Sequence, residues 1–253
     1  FKQYYPKNGW VEHDAIEIWN DVKYLINKIL KKNKINSNQI LSIGIANQRE
    51  TTVLWNKNNG KPVHNAIVWQ DRRTTGYCDE LKKKKLQSKI QKITGLIIDP
   101  YFSATKIKWI LDNVKETKKL IKENSLIFGT IDTWILWNLT EKKSHLTDIT
   151  NASRTMLFDS KKEVWSNELL TIFQIPKNIL PKVTSNSYHF GSTSLFGDEI
   201  KIGGMAGDQQ AATIGQACFE VGQSKSTYGT GCFLLMNIGS EFKLSKNKLL
   251  TTV

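Results

Sequence analysis

The stretch GGMAGDQQAAT, residues 203–213, sets one carboxylate, Asp208, behind five small or flexible residues and ahead of Gln209 and Gln210. Asp is a poor helix-interior residue and is costly to bury unpaired. Its place at the mouth of a small-residue segment therefore reads either as a helix N-cap or as a reactive carboxylate. Within hydrogen-bond reach of an attacking hydroxyl, such a group accepts the proton as the new bond forms. Small neighbours and the positive end of a helix favour the ionised form, and Gln209 can donate to a hydroxyl without competing for the proton.

Three more polar clusters stand where apolar runs end, which is where α/β proteins place ligands. In NQRE (47–50), Arg49 and Glu50 are adjacent. One donates to hydroxyls and the other accepts from them, a combination that suits a polyhydroxyl ligand. An ordinary strand-end ion pair is the alternative. Adjacent strand side chains face opposite sides, so both reach one ligand only if the strand has ended or twisted there. In VWQDRRT (68–74), Trp69 is either a core tryptophan before a helix or an apolar wall for carbon atoms; in DPYFS (99–103), Tyr101 follows Pro100 and can present a phenol to a pocket. In STYGTGCF (226–233), Gly229 and Thr230 lie in a Gly-Thr-Gly turn that lets backbone approach a phosphate. Neither a P-loop nor a GxGxxG fingerprint occurs, so a nucleotide site here belongs to another architecture.

The elements that must carry these clusters alternate. Residues 13–34 predict a long amphipathic helix, capped by Asp14, with Ile18, Val22, Leu25 and Ile29 on one face. ILSIGIAN (40–47) predicts a strand buried on both faces, and TTVLWN and PVHNAIVW predict strands around an Asn-Gly turn. One helix is expected over 73–94, stopped by Gly95, then a helix at SATKIKWILDNV, a strand at SLIFGT and an apolar helix at IDTWILWNL. RTMLFD reads as a strand, WSNELLTIFQI as a helix, EIKIGGMAG as the segment entering Asp208, and SKSTYGTG/CFLLMNIG as a hairpin. The sum is an α/β domain with a mixed sheet.

Composition narrows the function classes. The 253 residues carry 36 Lys and Arg against 23 Asp and Glu, a net charge of +13, but only four are arginines: Arg49, Arg72, Arg73 and Arg154. Nucleic-acid surfaces favour Arg, so the excess reads as solvated lysine faces, and each Arg marks a place that needs a forked donor. No apolar run approaches the roughly 20 residues that span a bilayer. Cys78, Cys218 and Cys232 show no metal or disulfide spacing and read as plain thiols of a reducing compartment. NLT and NAS match the glycosylation pattern, which so short a motif often does by chance. FKQYYPKNGW at one end and KLLTTV at the other suggest a piece of a longer chain or a processed product.

YPKNGWVEHD, NQRETT, NAIVWQDRRT, GLIIDPYFSATKIKWILDN, FGTIDTWILWNLT, TDITNASRTMLF, AGDQQAA and YGTGCFLLMN together resemble the FGGY carbohydrate kinases, in order and spacing, over nearly the whole chain. NQRE with DPYFS is similar to the branch that phosphorylates glycerol rather than pentuloses. The resemblance implies an actin/hexokinase-like (ribonuclease H-like) fold with a mixed sheet flanked by helices. It implies a glycerol-binding domain over 1–216 and the start of a similar nucleotide-binding domain over 217–253. It implies ATP and Mg2+ as cofactors, and glycerol as substrate, held by Arg49, Glu50, Tyr101, Asp208 and Gln209 between walls of Trp69 and Phe233. Asp208 matches the catalytic base and faces the metal, while Gly229 and Thr230 match a phosphate-binding turn. A cytoplasmic location, and a homodimer or homotetramer when full length, go with it; the composition already speaks against nucleic acid or membrane partners.

The same resemblance expects a Gly/Thr-rich phosphate loop before Phe1 and most of the second domain after Val253. The 253 residues alone are then expected not to turn over. Another FGGY sugar or polyol kinase and a non-catalytic glycerol-binding relative remain the alternatives.

Overall fold

A computed structural model describes residues 1–253. The first half runs β1 (Gln3–Tyr4), β2 (Glu12–His13), α1 (Ala15–Asn33), β3 (Ile43–Asn47), β4 (Thr52–Asn56), β5 (Ala66–Ile67), α2 (Thr75–Lys83), α3 (Gln87–Thr94), α4 (Ser103–Asn113) and α5 (Glu116–Lys122). Next come β6 (Leu126–Thr130), α6 (Ile131–Leu139), β7 (Leu146–Asp148), α7 (Ile149–Ala152), β8 (Phe158–Asp159), β9 (Val164–Trp165) and α8 (Asn167–Phe173). The chain closes with β10 (Lys182–Thr184), β11 (Ser187–Thr193), β12 (Ile200–Gly207), α9 (Asp208–Gly215) and the hairpin β13 (Ser224–Tyr228) and β14 (Cys232–Met236).

Two sheets organise the core. An antiparallel sheet in the order β1-β2-β5-β4-β6 is buried on both faces. Alternation along β4 and β6 sends Leu54, Leu126 and Phe128 into one apolar cluster, with Ile107 and Ile110 of α4. Val53, Trp55 and Ile127 face the other cluster, with Trp134 and Ile135 of α6. On the far side of α6 stands a mixed sheet, β11-β12-β3, contributing Phe190, Ile202 and Met205. Packed between two sheets, α6 is apolar almost all round, as a helix with no solvent face must be. Each large side chain so buried stabilises the fold by about 1.5–3 kcal/mol.

The strands that matter for function are β3 and β12. They pair in parallel, and their last residues, Asn47 and Gly207, are register partners. Whatever follows each strand therefore emerges at the same end of the sheet.

Several expectations change. Asp14 does cap α1, accepting from the amides of Ile16 (2.8 Å) and Glu17. However, Leu25 and Ile29 are half exposed, because nothing packs over the helix's second half. β3 is buried on one face only: it pairs with β12 alone, and Gly44 and Ala46 face outward. The single helix over 73–94 is two, broken where Lys85 adopts φ 58; Gly95, at φ 81, closes the second as expected. In PVHNAIVW and RTMLFD the strands shrink to Ala66–Ile67 and Phe158–Asp159, with one isolated bridge from Pro62 to Trp55. α5 and β11 were not foreseen. No helix is long and apolar enough to cross a membrane.

Candidate functional site

Past the ends of β3 and β12 the two segments deliver Arg49 and Glu50 beside Asp208 and Gln209. Gly207, not Asp208, is the N-cap of α9, and no side chain caps it. Asp208 is the helix's first residue, its carboxylate 46% exposed and turned toward Arg49, whose Nε lies 3.3 Å from Oδ1. A carboxylate there gains from the helix dipole without being consumed by the backbone. Gln209 is buried: its Nε2 lies 3.5 Å from Asp208 Oδ2, and its Oε1 accepts from Lys225, which also donates to Thr227 (2.8 Å).

Neighbouring Arg49 and Glu50 face one site because the backbone turns between them. Glu50 has φ 60, and the Thr51 amide donates to the Arg49 carbonyl at 2.7 Å. A non-glycine residue held in the left-handed region is strained and persists only when its surroundings over-determine it. Here the Glu50 carbonyl accepts from Thr52 Oγ1 (3.1 Å), Ser103 Oγ (3.2 Å) and the fully buried Lys106 Nζ (3.2 Å). The strand has ended, as a shared ligand requires.

Charge in the cluster is paired. Glu50 is buried and accepts from Arg154 Nε at 2.6 Å, while Arg49 Nε lies 3.8 Å from the same carboxylate. Arg49 spreads its other nitrogens to Gln210 Oε1 (3.2 Å) and the Tyr101 hydroxyl (3.4 Å). Burial, and then the Glu50 carboxylate, pushes the Tyr101 phenol above its ordinary value, which keeps it a neutral donor. Burial also drives Lys106 down to about 7.

Aromatic rings close one side. Trp69 meets Tyr101 and Phe233 edge-on, with centroids 5.8 and 6.0 Å apart, and the Arg49 guanidinium lies 5.9 Å from the Phe233 centroid. A cavity of about 410 Å³ opens beside them, lined by Trp69, Tyr101, Phe102, Thr230 and Leu250. Gly229 closes the hairpin turn by donating its amide to the Gly231 carbonyl (3.1 Å), and a side chain at Gly229 would meet nothing within 4 Å. Arg49, Glu50, Trp69, Tyr101, Asp208, Gln209 and Phe233 thus form one cluster, with Thr230 at its edge and Gly229 on the open turn.

A divalent metal finds one exposed carboxylate here and no group of three or more His, Cys, Asp or Glu side chains able to hold an ion. That donor set fits Mg2+ held mainly by phosphates and water, since Mg2+ keeps several waters and takes only one or two carboxylates. It does not fit a closed protein cage.

The residue readings missed Lys106, Arg154, Gln210 and Lys225. Arg154 carried a signal, being one of four arginines, and each of the four does face a carboxylate: Arg49 at Asp208, Arg72 at Asp99, Arg73 at Asp71 and Glu12, and Arg154 at Glu50. Lys106 and Lys225 are hidden by the general abundance of lysine.

Residues 1–215 match the N-terminal domain of the FGGY family of carbohydrate kinases. A glycerol kinase of Clostridium botulinum (strain Langeland) is 57% identical over 255 residues, covering 100% of this chain and 51% of that protein. The glycerol kinase of Treponema denticola is 56% identical over 256 residues, covering 100% and 52%. The crystal structure of Plasmodium falciparum glycerol kinase with ADP superposes with a TM-score of 0.94 at 41% identity, covering 100% of this chain and 51% of that one. The chain spans about half the length of the curated relatives it matches.

Proposed function

Because the chain belongs to the FGGY family of carbohydrate kinases, and so has the actin/hexokinase-like fold, we propose that it carries the acceptor site of a glycerol kinase. The reaction transfers the γ-phosphoryl group of MgATP to a terminal hydroxyl of glycerol, giving sn-glycerol 3-phosphate and ADP. The observation that carries the reading is the convergence of Arg49, Glu50, Tyr101, Asp208 and Gln209 from three separate segments onto one spot. Glycerol kinases at 57% and 56% identity support it.

In this arrangement Glu50 accepts from hydroxyls while Arg49 and Tyr101 donate to them. Trp69 and Phe233 cover the carbon chain. Asp208 takes the proton of the attacking hydroxyl as its oxygen bonds to phosphorus and the bond to the ADP oxygen breaks. Phosphoryl transfer asks mostly for positioning and charge neutralisation, and Arg49 both aims Asp208 and supplies positive charge beside it. Magnesium, when bound with ATP, neutralises phosphate charge, and Asp208 is the carboxylate here that would face it. Thr230, at the rim, supplies a hydroxyl toward the phosphates, with Gly229 beside it.

Residues 1–216 are read as the acceptor domain and 217–253 as the beginning of the nucleotide-binding one. A cytoplasmic homodimer or homotetramer goes with this reading, and sedimentation of the full-length gene product checks the assembly. The deciding experiment is a substrate panel on that product with ATP. Glycerol 3-phosphate formation supports the proposal. Preference for a pentulose, or glycerol binding with no ATP consumption, would replace it with another sugar kinase or a non-catalytic relative.

A further inference from the structure

Lys106 lies on α4, one turn beyond Ser103, with no solvent exposure. Its ammonium makes no ion pair. It donates instead to two main-chain carbonyls, those of Glu50 (3.2 Å) and Tyr101. The Glu50 carbonyl belongs to the strained turn that follows β3, at φ 60. The Tyr101 carbonyl belongs to the loop entering α4, whose amide is pinned by Asp99 Oδ1 at 2.9 Å. Between them these two segments supply the guanidinium, the carboxylate and the phenol of the site.

Burying an ammonium without a carboxylate partner is unfavourable, and an apolar side chain of similar length would fill the same space without that cost. What an apolar chain cannot supply is a donor that reaches both carbonyls at once. We propose that Lys106 is a positioning residue: its amino group ties the Arg49–Glu50 turn to the Tyr101 loop so that three ligand-binding groups keep one geometry. This rests on the reading of those residues as the acceptor site, of which Lys106 touches only main-chain carbonyls. The neutral amine also has N–H donors, so the tie survives deprotonation.

The test compares the full-length wild-type product with Lys106→Met, and with Lys106→Gln should the first variant fail to fold. A lost tie misplaces Arg49, Glu50 and Tyr101, so glycerol KM should rise about tenfold or more, and kcat should fall only as far as Arg49 loses its aim on Asp208. KM for ATP should not move. Amide hydrogen exchange at residues 49–52 and 101–103 should quicken in the variant. This second readout needs no turnover, so it still decides the role of Lys106 if the wild type phosphorylates no glycerol and the functional reading falls. A folded variant with wild-type glycerol KM and unchanged exchange would overturn the proposal. Loss of the folded state in both variants would overturn it too, since Lys106 would then be holding the core rather than the site.

Discussion

Arg49 Nε and Asp208 Oδ1 stand 3.3 Å apart although their residues are 159 positions apart in the chain. The parallel register of β3 with β12, ending at Asn47 and Gly207, is what brings them together. The guanidinium is buried while the carboxylate is half in solvent, so the pair is anchored on one side and open to a ligand on the other. Arg49 therefore holds one face of the Asp208 carboxylate and leaves the other to solvent.

Asp208→Asn keeps the shape of this pair but removes the carboxylate proposed as proton acceptor. Turnover of the full-length product should fall by roughly 10²–10⁴-fold, the usual contribution of a general base. Glycerol binding, followed by isothermal titration calorimetry, should change little. A variant with the wild-type rate would take Asp208 out of the reaction.

Glu50 depends on Arg154 in the opposite sense, because both are buried and their 2.6 Å contact is the shortest ion pair at the site. Arg154→Met strands a carboxylate in the core, which should lower unfolding stability by about 3–5 kcal/mol in urea titrations. Adding Glu50→Gln should recover part of that loss. If the two substitutions are additive in denaturation, the pair is not coupled.

Much of the fold was legible because helix signals are local. Asp14 caps α1, Gly95 closes α3, and the apolar run of α6 announced a helix without a solvent face. Local signals say nothing about neighbours. The Ile-Gly-Ile-Ala run of β3 reads alike in the centre of a sheet and at its edge, and only the pairing decides. The site was partly legible for the same reason. Arg49 beside Glu50 read either as a strand-end ion pair or as a hydroxyl-binding pair, and scarcity of arginine marked Arg154. The convergence with Asp208 lies in a long-range register that no short stretch encodes, and the resemblance of ordered motifs supplied it. Lys106 escaped because in a lysine-rich chain one more lysine on a helix looks like a solvated one.

Beneath the site, Asp132 is fully buried and accepts from Thr147 Oγ1 (2.6 Å), with Asn47 Nδ2 at 3.4 Å. Burial, and then the nearby Asp148 carboxylate, raises its pKa from the ordinary 3.8 to about 6. The folded state therefore holds this proton more tightly than the unfolded one. The resulting stability is present below about pH 3.8 and is lost as pH rises through about 6. Asp132→Asn should flatten the wild-type curve in that window by at most about 1.4 kcal/mol per pH unit. Melting temperatures at pH 4, 5, 6 and 7 measure it, and parallel curves for the two proteins would show that Asp132 does not titrate there.

Two glycines of one turn separate the wall of the site from its open side. A methyl at Gly231 would lie 2.7 Å from Cε2 and 2.9 Å from Cζ of Phe233, and 3.6 Å from Trp69 Cη2, whereas at Gly229 it would meet nothing within 4 Å. Gly231→Ala must therefore displace the Phe233 ring and disturb its contact with Trp69, the pair proposed to cover the carbon chain. Rearranging one such contact is worth about 1–3 kcal/mol of substrate binding. Glycerol KM of the full-length product should accordingly rise about 5-fold or more in Gly231→Ala, with little loss of stability because the hairpin is largely exposed. Gly229→Ala should leave glycerol KM near wild type, and any effect it has should appear in KM for ATP, the ligand assigned to that turn. Equal glycerol KM values in the two variants would remove Phe233 as a wall of the acceptor site.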